Sequence, residues 1–359
     1  MIKFPPTSDV VSPSQASYAA SGVDISKADA LMEGLRQSSS PTGLSLQPHG
    51  LGQLVEGIGG FAGCYATRFQ DLEQPILVAC TDGVGTKLNL ATESGQLDDI
   101  GQDLVAMCLN DLYTQGATPL FFLDYFACSY LESEQFNRVL TSIQRALTYC
   151  ETSLMGGETA ELPGLFSMGH FDIAGFVVGV VDASQRLHKQ QVQAGDLLVG
   201  WASSGFHSNG YSLVRKWYAQ CEKQLQQKYL PYLLKPTKIY KSFLGLLQQF
   251  PQGEVRIASH ITGGGVSDNL ARVIPKHLTA QLQRDSIQAP AWMHAFAQEV
   301  GEDLMSYQDV FNCGIGWISV VSPGVVDAWM TKSTELQLSP VLLGKVTSRS
   351  SIDCAVVYI

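Results

Sequence analysis

The chain has 359 residues, of which 23 are Lys or Arg and 33 are Asp or Glu, so its formal net charge is −10. This length exceeds one ordinary hydrophobic core and predicts two domains of roughly 150 to 200 residues each. The acidic balance and the lack of a basic run argue against general nucleic-acid binding, because affinity for a phosphate backbone needs clustered Lys and Arg.

Cysteine usage and apolar runs suggest the compartment. The start, MIKFPPTSDVV, has no apolar region of signal-peptide length, and the sequence has no run of about 18 apolar residues, so we expect nothing to span a membrane. The eight cysteines are scattered through apolar segments without a Cys-x-x-Cys pair. This pattern predicts reduced core thiols in a cytoplasmic protein.

The amino-terminal stretch is predicted to hold an arm, a helix and a glycine-rich loop. Residues 1–22 look irregular, and apolar residues from Ile25 to Leu35 recur at helical spacing. The loop ends in EGIGGFAG at 56–63, and no strand precedes it, which argues against a dinucleotide site. Two interpretations stay open: an ordinary surface loop, or a flap that covers phosphates with Gly59, Gly60 and Gly63.

The stretch PILVACTDGVGTKLNL at 75–90 predicts a buried strand, Ile76–Cys80, followed by a ligand corner. Asp82 would follow the carboxyl end of the strand, where open α/β sheets present binding groups. The next residues offer bare backbone N–H groups, a hydroxyl and a positive charge, which suit an anion: Gly83, Gly85, Thr86 and Lys87. The stretch matches neither a Walker A loop nor a dinucleotide fingerprint, and a tight strand exit with a surface lysine stays open.

A helix is predicted to follow, capped by Asp98 and Asp99 and ended by Gly116. Asn110 and Asp111 lie in the middle of this helix, between apolar residues. A buried carboxylate is costly unless it is paired or bound to a metal, so Asp111 is either a site residue or part of a solvated stripe.

Three strands and a second helix complete the first half. Pro119–Ala127 is a buried strand interrupted by Asp124, Ser133–Glu151 is a helix, and Asp172–Val181 is a strand. Between them, Ser153–Met155 begins a strand predicted to end in Gly156, Gly157 and Glu158, which repeats the arrangement around Asp82. The periodicity lapses between Asp182 and Gly195, which predicts domains 1–186 and 187–359.

The second half begins with a strand, Asp196–Ala202, and a loop of small polar residues around His207 and Asn209, just before a helix. A helix amino terminus with such a loop is typical of an anion site, and a histidine there favours function over core packing. HITGGG at 260–265 shows the same pattern of a loop before a helix amino terminus. Its glycines Gly263, Gly264 and Gly265 precede a short helix ended by Pro275. The last hundred residues alternate helix and strand, which predicts α/β layers.

These segments together resemble one family, phosphoribosylformylglycinamidine cyclo-ligase, also called aminoimidazole ribonucleotide synthetase. The resembling segments run in order through nearly the whole chain: YAASGVDI (18–25), GGFAG (59–63), TDGVGTKL (81–88), DLVAMCLNDLYTQGATPLFFLDY (103–125), GGETAELPG (156–164), SSGFHSNGYSLVRK (203–216), HITGGG (260–265) and FNCGIG (311–316). The resemblance implies an α/β (α+β layered) fold of two domains. It also implies a homodimer whose amino-terminal sheets form a barrel across the interface.

The resemblance implies a reaction of purine biosynthesis with ATP and Mg²⁺ as cofactors. ATP would phosphorylate the formamide oxygen of formylglycinamidine ribonucleotide, and the ring would close to aminoimidazole ribonucleotide as phosphate leaves. His207 would position or protonate the reacting oxygen, and the implied metal ligands are Asp82, Asp111 and Glu158. The implied nucleotide and phosphate contacts are Gly59, Gly60, Gly63, Gly83, Gly85, Thr86, Lys87, Asn110, Gly156, Gly157, Asn209, Gly263, Gly264 and Gly265.

The chain departs from the family pattern at three places that bear on substrate affinity more than on reaction type. Asp309 and Val310 stand where the family usually has Arg-Thr, Asp268 and Ala271 replace Glu and Pro, and residues 37–54 lack the usual basic residues.

Rival interpretations are thiamine monophosphate kinase, selenophosphate synthetase or a hydrogenase maturation protein on the same scaffold, and a non-catalytic nucleotide-binding regulator. The HSNGYSLVRK stretch and the lack of a reactive amino-terminal Cys favour the cyclo-ligase.

Overall fold

The computed structural model describes residues 48–350 and 354–359. The predicted arm and first helix lie outside these residues, as does the segment 18–25. Within them the chain forms a four-stranded sheet, a six-stranded sheet and a separate two-stranded hairpin, with helices packed against the larger sheets. The α/β fold expected from the sequence is confirmed.

From residue 48 onward, the first half contains six strands and three α-helices. In chain order they are β1 (Gly52–Glu56), β2 (Cys64–Thr67), β3 (Pro75–Gly83), α1 (Lys87–Ser94), α2 (Ile100–Tyr113), β4 (Thr118–Cys128), α3 (Ser133–Tyr149), β5 (Ser153–Glu161) and β6 (Phe171–Asp182). β1 and β2 form the antiparallel hairpin, and the four-stranded sheet has the order β3-β6-β4-β5, so β3 and β5 are its edges.

The second half contains the six-stranded sheet, of order β12-β9-β11-β7-β10-β8. Its elements are β7 (Leu197–Ala202), α4 (Tyr211–Gln220), α5 (Lys223–Leu233), α6 (Ser242–Leu247), β8 (Val255–His260), α7 (Gly265–Val273), β9 (Leu278–Leu282), α8 (Ala291–Gln298), β10 (Ile315–Val321), α9 (Val326–Glu335), β11 (Pro340–Ser348) and β12 (Val356–Tyr358). All seven residues of β10 are buried. Trp201 on β7 stacks on Trp317 and Trp329, which gives this half an aromatic core.

Helices α2 and α3 cover one face of the four-stranded sheet because each has an apolar side. Along α3 the buried residues recur at helical spacing and include Phe136, Val139, Leu140, Ile143 and Leu147. The two helix backbones approach closely at Gly101, where an added Cβ would lie 2.3 Å from the backbone nitrogen of Ile143.

The other face of the four-stranded sheet has no helix over it in the described part of the chain. We call it the open face; it exposes Leu77, Tyr125 and Phe176, with exposed fractions of 62%, 36% and 46%. Strand register places Glu158 on the same face, because it pairs with Tyr125 across the β4–β5 ladder.

Several boundaries differ from the sequence predictions. β5 continues through Gly156 and Gly157 to Glu161 and does not end at them, and Asn110 and Asp111 lie in the last turn of α2 rather than its middle. The sequence patterns did not predict β1, β2, α1, α5, α6, β8 or β9. The expectation that no strand precedes the 56–63 loop is wrong, because β1 ends at Glu56, where that loop begins. Two of the cysteines expected in the core, Cys64 and Cys354, are exposed; all eight thiols are free.

No helix in residues 48–350 or 354–359 is both long and apolar enough to cross a membrane. The predicted boundary between residues 186 and 187 falls in the connection from β6 to β7 and stays a prediction.

Candidate active site

Asp82 lies near the carboxyl end of β3, on the face of the sheet that α2 covers. Cys80, two residues earlier on the same face, donates its thiol to the Cys108 carbonyl of α2 at 3.1 Å. Burial raises the pKa of Asp82; the Gly83 N–H opposes this shift, Asp111 adds to it and His260 opposes it. The predicted metal ligands Asp82 and Asp111 are therefore electrostatic neighbours.

The last turn of α2 joins the two halves through His260, the final residue of β8. The Nδ1 atom of His260 lies 2.9 Å from Asp111 Oδ1, and its Nε2 lies 3.3 Å from Asn110 Nδ2. Asn110 is fully buried, and its Oδ1 accepts from the Tyr240 N–H while its Nδ2 donates to the Lys238 carbonyl. The predicted site residue Asn110 thus acts as a fixed anchor for the segment around residue 240.

The glycine-rich corner after β3 lies against the loop that carries His207. Thr86 Oγ1 is 3.3 Å from the Ser212 hydroxyl, and a Cβ on Gly85 would be 3.9 Å from the Ser208 carbonyl. On the far side of that loop, Asn209 Oδ1 would lie 3.7 Å from a Cβ on Gly263. The TDGVGTK, HSNG and HITGGG segments, far apart in sequence, therefore meet at one place.

Gly264 and Gly265 lead into α7, with φ values of 89° and 61°. A side chain at Gly265 is excluded by packing, since its Cβ would lie 1.8 Å from the Gln308 carbonyl oxygen. The buried Asn269 orders this turn by donating to the carbonyls of Thr262, Gly263 and Gly265. A phosphate contact at this turn stays a prediction.

Lys87 differs from the expectation of a lysine free to meet phosphates. Its side chain is completely buried, and Nζ donates to Asp103 Oδ1 and to the Lys235 carbonyl, both at 2.8 Å. Burial lowers the pKa of Lys87, and the Asp103 carboxylate raises it in partial compensation. The predicted phosphate contact is not tested by this arrangement, but the ammonium group has structural partners already.

The glycines of the β1–β2 loop and those of β5 lie toward the opposite edge of the sheet from Asp82. A Cβ on Gly63 would meet Met155 of β5 at 2.5 Å, while Gly59 and Gly60 are exposed. With strands about 4.8 Å apart, β5 is roughly 14 Å from β3. Within one chain, neither this loop nor Glu158 on the open face comes next to Asp82; their predicted roles stay predictions.

Register brings a different carboxylate into line with Asp82. Asp82 pairs with Gly175 of β6, Gly175 with Asp124 of β4, and Asp124 with Gly157 of β5, so these four residues form one row on the α2-covered face. Burial raises the pKa of Asp124 to about 7. A Cβ on Gly157 would lie 2.3 Å from Asp124 Oδ1, so this glycine makes room for the carboxyl group.

A cleft of about 560 Å³ lies where the two halves meet, between the edge strands β3 and β8. Asp111 and His260 line it together with Arg186 and with Asn269 and Arg272 of α7. In residues 48–350 and 354–359, no group of three or more His, Cys, Asp or Glu side chains has a metal-binding arrangement. The cleft lining therefore offers one carboxylate, Asp111, and two guanidinium groups rather than a closed metal cage, and Asp82 is not among its lining residues.

Three residues of this region were not singled out from the sequence: His260, Asp103 and Arg186. Asp124 was noted as an acid that interrupts a buried strand, but it was assigned no role. His260 could have been found, because it begins the HITGGG segment that was singled out for its glycines. Asp103 carries no local signal, since its partners come from residues 87, 208 and 237.

Comparison with known proteins identifies the family. A model of the AIR synthase related protein, N-terminal domain, matches residues 48–181, and one of the corresponding C-terminal domain matches residues 193–357. The phosphoribosylformylglycinamidine cyclo-ligase of Nitrosospira multiformis is 41% identical over 324 residues, which cover 88% of each chain. The chain belongs to the phosphoribosylformylglycinamidine cyclo-ligase family. The family's enzyme from Chromobacterium violaceum is 39% identical over 340 residues, 93% of this chain and 95% of that protein. The resemblance inferred from the sequence motifs is thus confirmed.

Solved structures show that other proteins share this fold. Escherichia coli HypE superposes with a TM-score of 0.66 at 16% identity and covers 92% of both chains. Thiamine-monophosphate kinase from Stenotrophomonas maltophilia gives 0.63 at 17% identity, over 85% of this chain and 90% of that one. At these identities the likeness concerns the fold alone.

Proposed function

We propose that this chain closes formylglycinamidine ribonucleotide to aminoimidazole ribonucleotide at the expense of ATP, with release of ADP and phosphate. It is a ligase of purine biosynthesis that acts on a small molecule. The observation that carries the proposal is the 41% and 39% identity to relatives of this name over nearly the full length of both chains. The contacts that join the TDGVGTK, HSNG and HITGGG segments support it.

In the proposed reaction the formamide oxygen takes the terminal phosphoryl group of ATP, which turns a poor leaving group into phosphate. The amidine nitrogen attacks the activated carbon, loses a proton, and the carbon–oxygen bond to phosphate breaks. Phosphoryl transfer needs alignment and charge neutralisation more than covalent help. The two halves of the chain would provide that alignment through Asp111 and His260, which meet at the cleft.

The carboxylates that would hold Mg²⁺ are Asp82 and Asp111. They fit the ion, because burial and mutual repulsion raise the pKa of Asp82 and a cation would relieve both effects. Mg²⁺ is commonly bound by one or two carboxylates together with phosphate oxygens, so a third protein ligand is not required. When bound, the ion would neutralise charge on the phosphates. Glu158 remains the third predicted ligand, but its side chain lies on the open face, so an ion would have to approach it from that side of the sheet.

We also propose that the protein is a homodimer paired through the open face. Leu77 and Phe176 expose large apolar areas there, on a sheet whose edge strands β3 and β5 pair with no further strand within residues 48–350 and 354–359. A second copy that met this face would also bring a Gly59–Gly63 loop and a Glu158 near the sheet of the first. Leu77→Arg should shift the sedimentation mass toward the monomer, whereas Leu342→Arg on β11, at a similarly exposed leucine, should not. A wild-type monomer at micromolar concentration would contradict the dimer.

The proposed reaction is tested by following ATP consumption with and without formylglycinamidine ribonucleotide and by detecting the aminoimidazole product. We expect consumption to depend on the nucleotide, with one product formed per ATP. Asp111→Asn should lower turnover at least about tenfold with the fold intact. Asp98→Asn removes an exposed carboxylate from the other end of the same helix and should leave turnover unchanged. Binding of ATP without turnover in the wild type would overturn the proposal and favour a regulator.

A further inference from the structure

The imidazole of His207 has one engaged nitrogen and one that is not. The backbone N–H of Ser204 donates to Nε2 at 3.1 Å, so Nε2 must carry a lone pair. In a neutral ring the proton then resides on Nδ1. Nδ1 is buried and has no hydrogen-bond partner among the residues the structure describes, and the whole residue is only 1% exposed.

The surroundings of His207 oppose a second proton. Burial lowers its pKa well below the usual range, and electrostatic interactions with His260, Lys87 and Lys238, in that order, lower it further. These groups approach from β8, from α1 and from the segment before Tyr240. The neighbouring Tyr240 hydroxyl is occupied, since it donates to the Ala202 carbonyl at 3.0 Å. The Asp103 carboxylate is turned to Lys87.

The ring is also held rigidly. His207 has a φ of 60°, a left-handed conformation that most side chains avoid. Its Cε1 atom packs against Gly316 of β10, where an added Cβ would lie only 2.4 Å away. A backbone strain, a fixed tautomer and a close packing partner together orient one N–H group without giving it an acceptor.

We propose that His207 is a neutral hydrogen-bond donor whose Nδ1–H binds an oxygen of the bound substrate or transferring phosphoryl group, and that it does not transfer a proton. A buried N–H without an acceptor costs free energy, and in a native structure such a group calls for an acceptor supplied by a ligand or water. A donor with no lone pair available selects an oxyanion or carbonyl oxygen and disfavours a cation. This inference rests on the proposed cyclisation and decides between the two roles open to His207.

Three substitutions separate a donor from a proton carrier. His207→Asn places an amide N–H close to the position of Nδ1 and tolerates positive φ, while His207→Gln places its amide near Nε2 and His207→Ala removes both. We expect the Asn variant to keep kcat within about tenfold of wild type, and the Gln and Ala variants to lose about 100-fold or more. The kcat pH profile should be the same for wild type and the Asn variant. His277→Asn, at an exposed histidine, serves as the control and should change nothing.

Nitrogen-15 NMR of histidine-labelled protein supplies a readout that does not depend on turnover. The resonances missing from the His207→Asn spectrum should show one protonated and one unprotonated nitrogen, unchanged between pH 6 and 8.5. A ring that becomes doubly protonated in this range overturns the inference, as does an Asn variant no more active than Gln. Wild-type protein that forms no aminoimidazole product refutes the proposed function, and the inference with it. An active wild type with the wrong pattern of variants refutes the inference alone.

Discussion

Replacing Lys87 by Met removes the positive member of a fully buried ion pair. Asp103 Oδ1 accepts from Lys87 Nζ at 2.8 Å, and also from the Thr237 N–H at 2.8 Å, the Thr237 hydroxyl at 2.5 Å and the Ser208 hydroxyl at 3.0 Å. Loss of one partner from a buried pair costs about 3 to 5 kcal/mol, because a charge is left without its counterion. The three remaining donors place the expected loss for Lys87→Met near the lower end, at about 3 kcal/mol.

Urea unfolding followed by tryptophan fluorescence and circular dichroism measures this loss. The slope should be about 3 kcal/mol per molar urea or more for a chain of this size, so a loss of about 3 kcal/mol should lower the midpoint by up to about 1 M. Arg138→Ala breaks the exposed pair with Asp98 and should cost less than about 1 kcal/mol. Asp103→Asn should lower the free energy of unfolding by about 1 to 3 kcal/mol less in the Lys87→Met protein than in the wild type. A loss for Lys87→Met no greater than that of the exposed control would refute the structural role; a selective rise in the KM for ATP would favour phosphate contact.

Two further predictions concern the interior. The pKa of Asp124 is raised from 3.8 to about 7, so the folded state holds its proton more tightly and stability is lost as pH rises from about 4 to 7. A pKa rise of about three units, at about 1.4 kcal/mol each, limits this loss of unfolding free energy to about 4 kcal/mol. Asp124→Asn should therefore unfold at a higher urea concentration than wild type at pH 8 but not at pH 4. An equal difference in urea midpoint at both pH values would contradict this prediction. Gly316→Ala would put a methyl group 2.0 Å from the Tyr240 hydroxyl and should lower both melting temperature and turnover. Gly245→Ala, with open space around it, should be neutral or slightly stabilising, and a similar loss at both positions would refute the steric argument.

The long elements were predictable because their apolar periodicity is strong. The strand before Asp82 and the helix with Ile100, Leu104 and Cys108 on its apolar side were expected close to their observed places. The prediction that this strand is buried is wrong, because β3 is an edge strand whose residues alternate between exposed and half-buried. The short helix α1 was missed because its first residues belong to a glycine motif that predicts a loop. Gly156 and Gly157 were interpreted as the end of a strand, whereas β5 continues through them, and Gly157 gives room to a carboxylate on the adjacent strand.

The site was predictable where residue chemistry shows in a short motif. Asp82, Asp111 and His207 were singled out in this way, and the structure brings their segments together. What sequence alone did not reveal are properties of three-dimensional placement. The burial of Lys87, the tautomer of His207 and the side of the sheet that Glu158 faces each depend on contacts between residues that are far apart along the chain.

The segment at residues 235–240 has a consequence for how the cleft can work. Backbone groups of this segment form five hydrogen bonds with side chains of the first half. The side chains are those of Lys87, Gln102, Asp103 and Asn110. At about 1 kcal/mol for a neutral bond and more for a charged one, these ties amount to roughly 5 kcal/mol. A hinge motion that separates the two halves would have to break these hydrogen bonds. The free-energy cost of breaking them would recur in every catalytic cycle. Reactants are therefore expected to enter a cleft of nearly constant width, with the adjustments confined to side chains and surface loops.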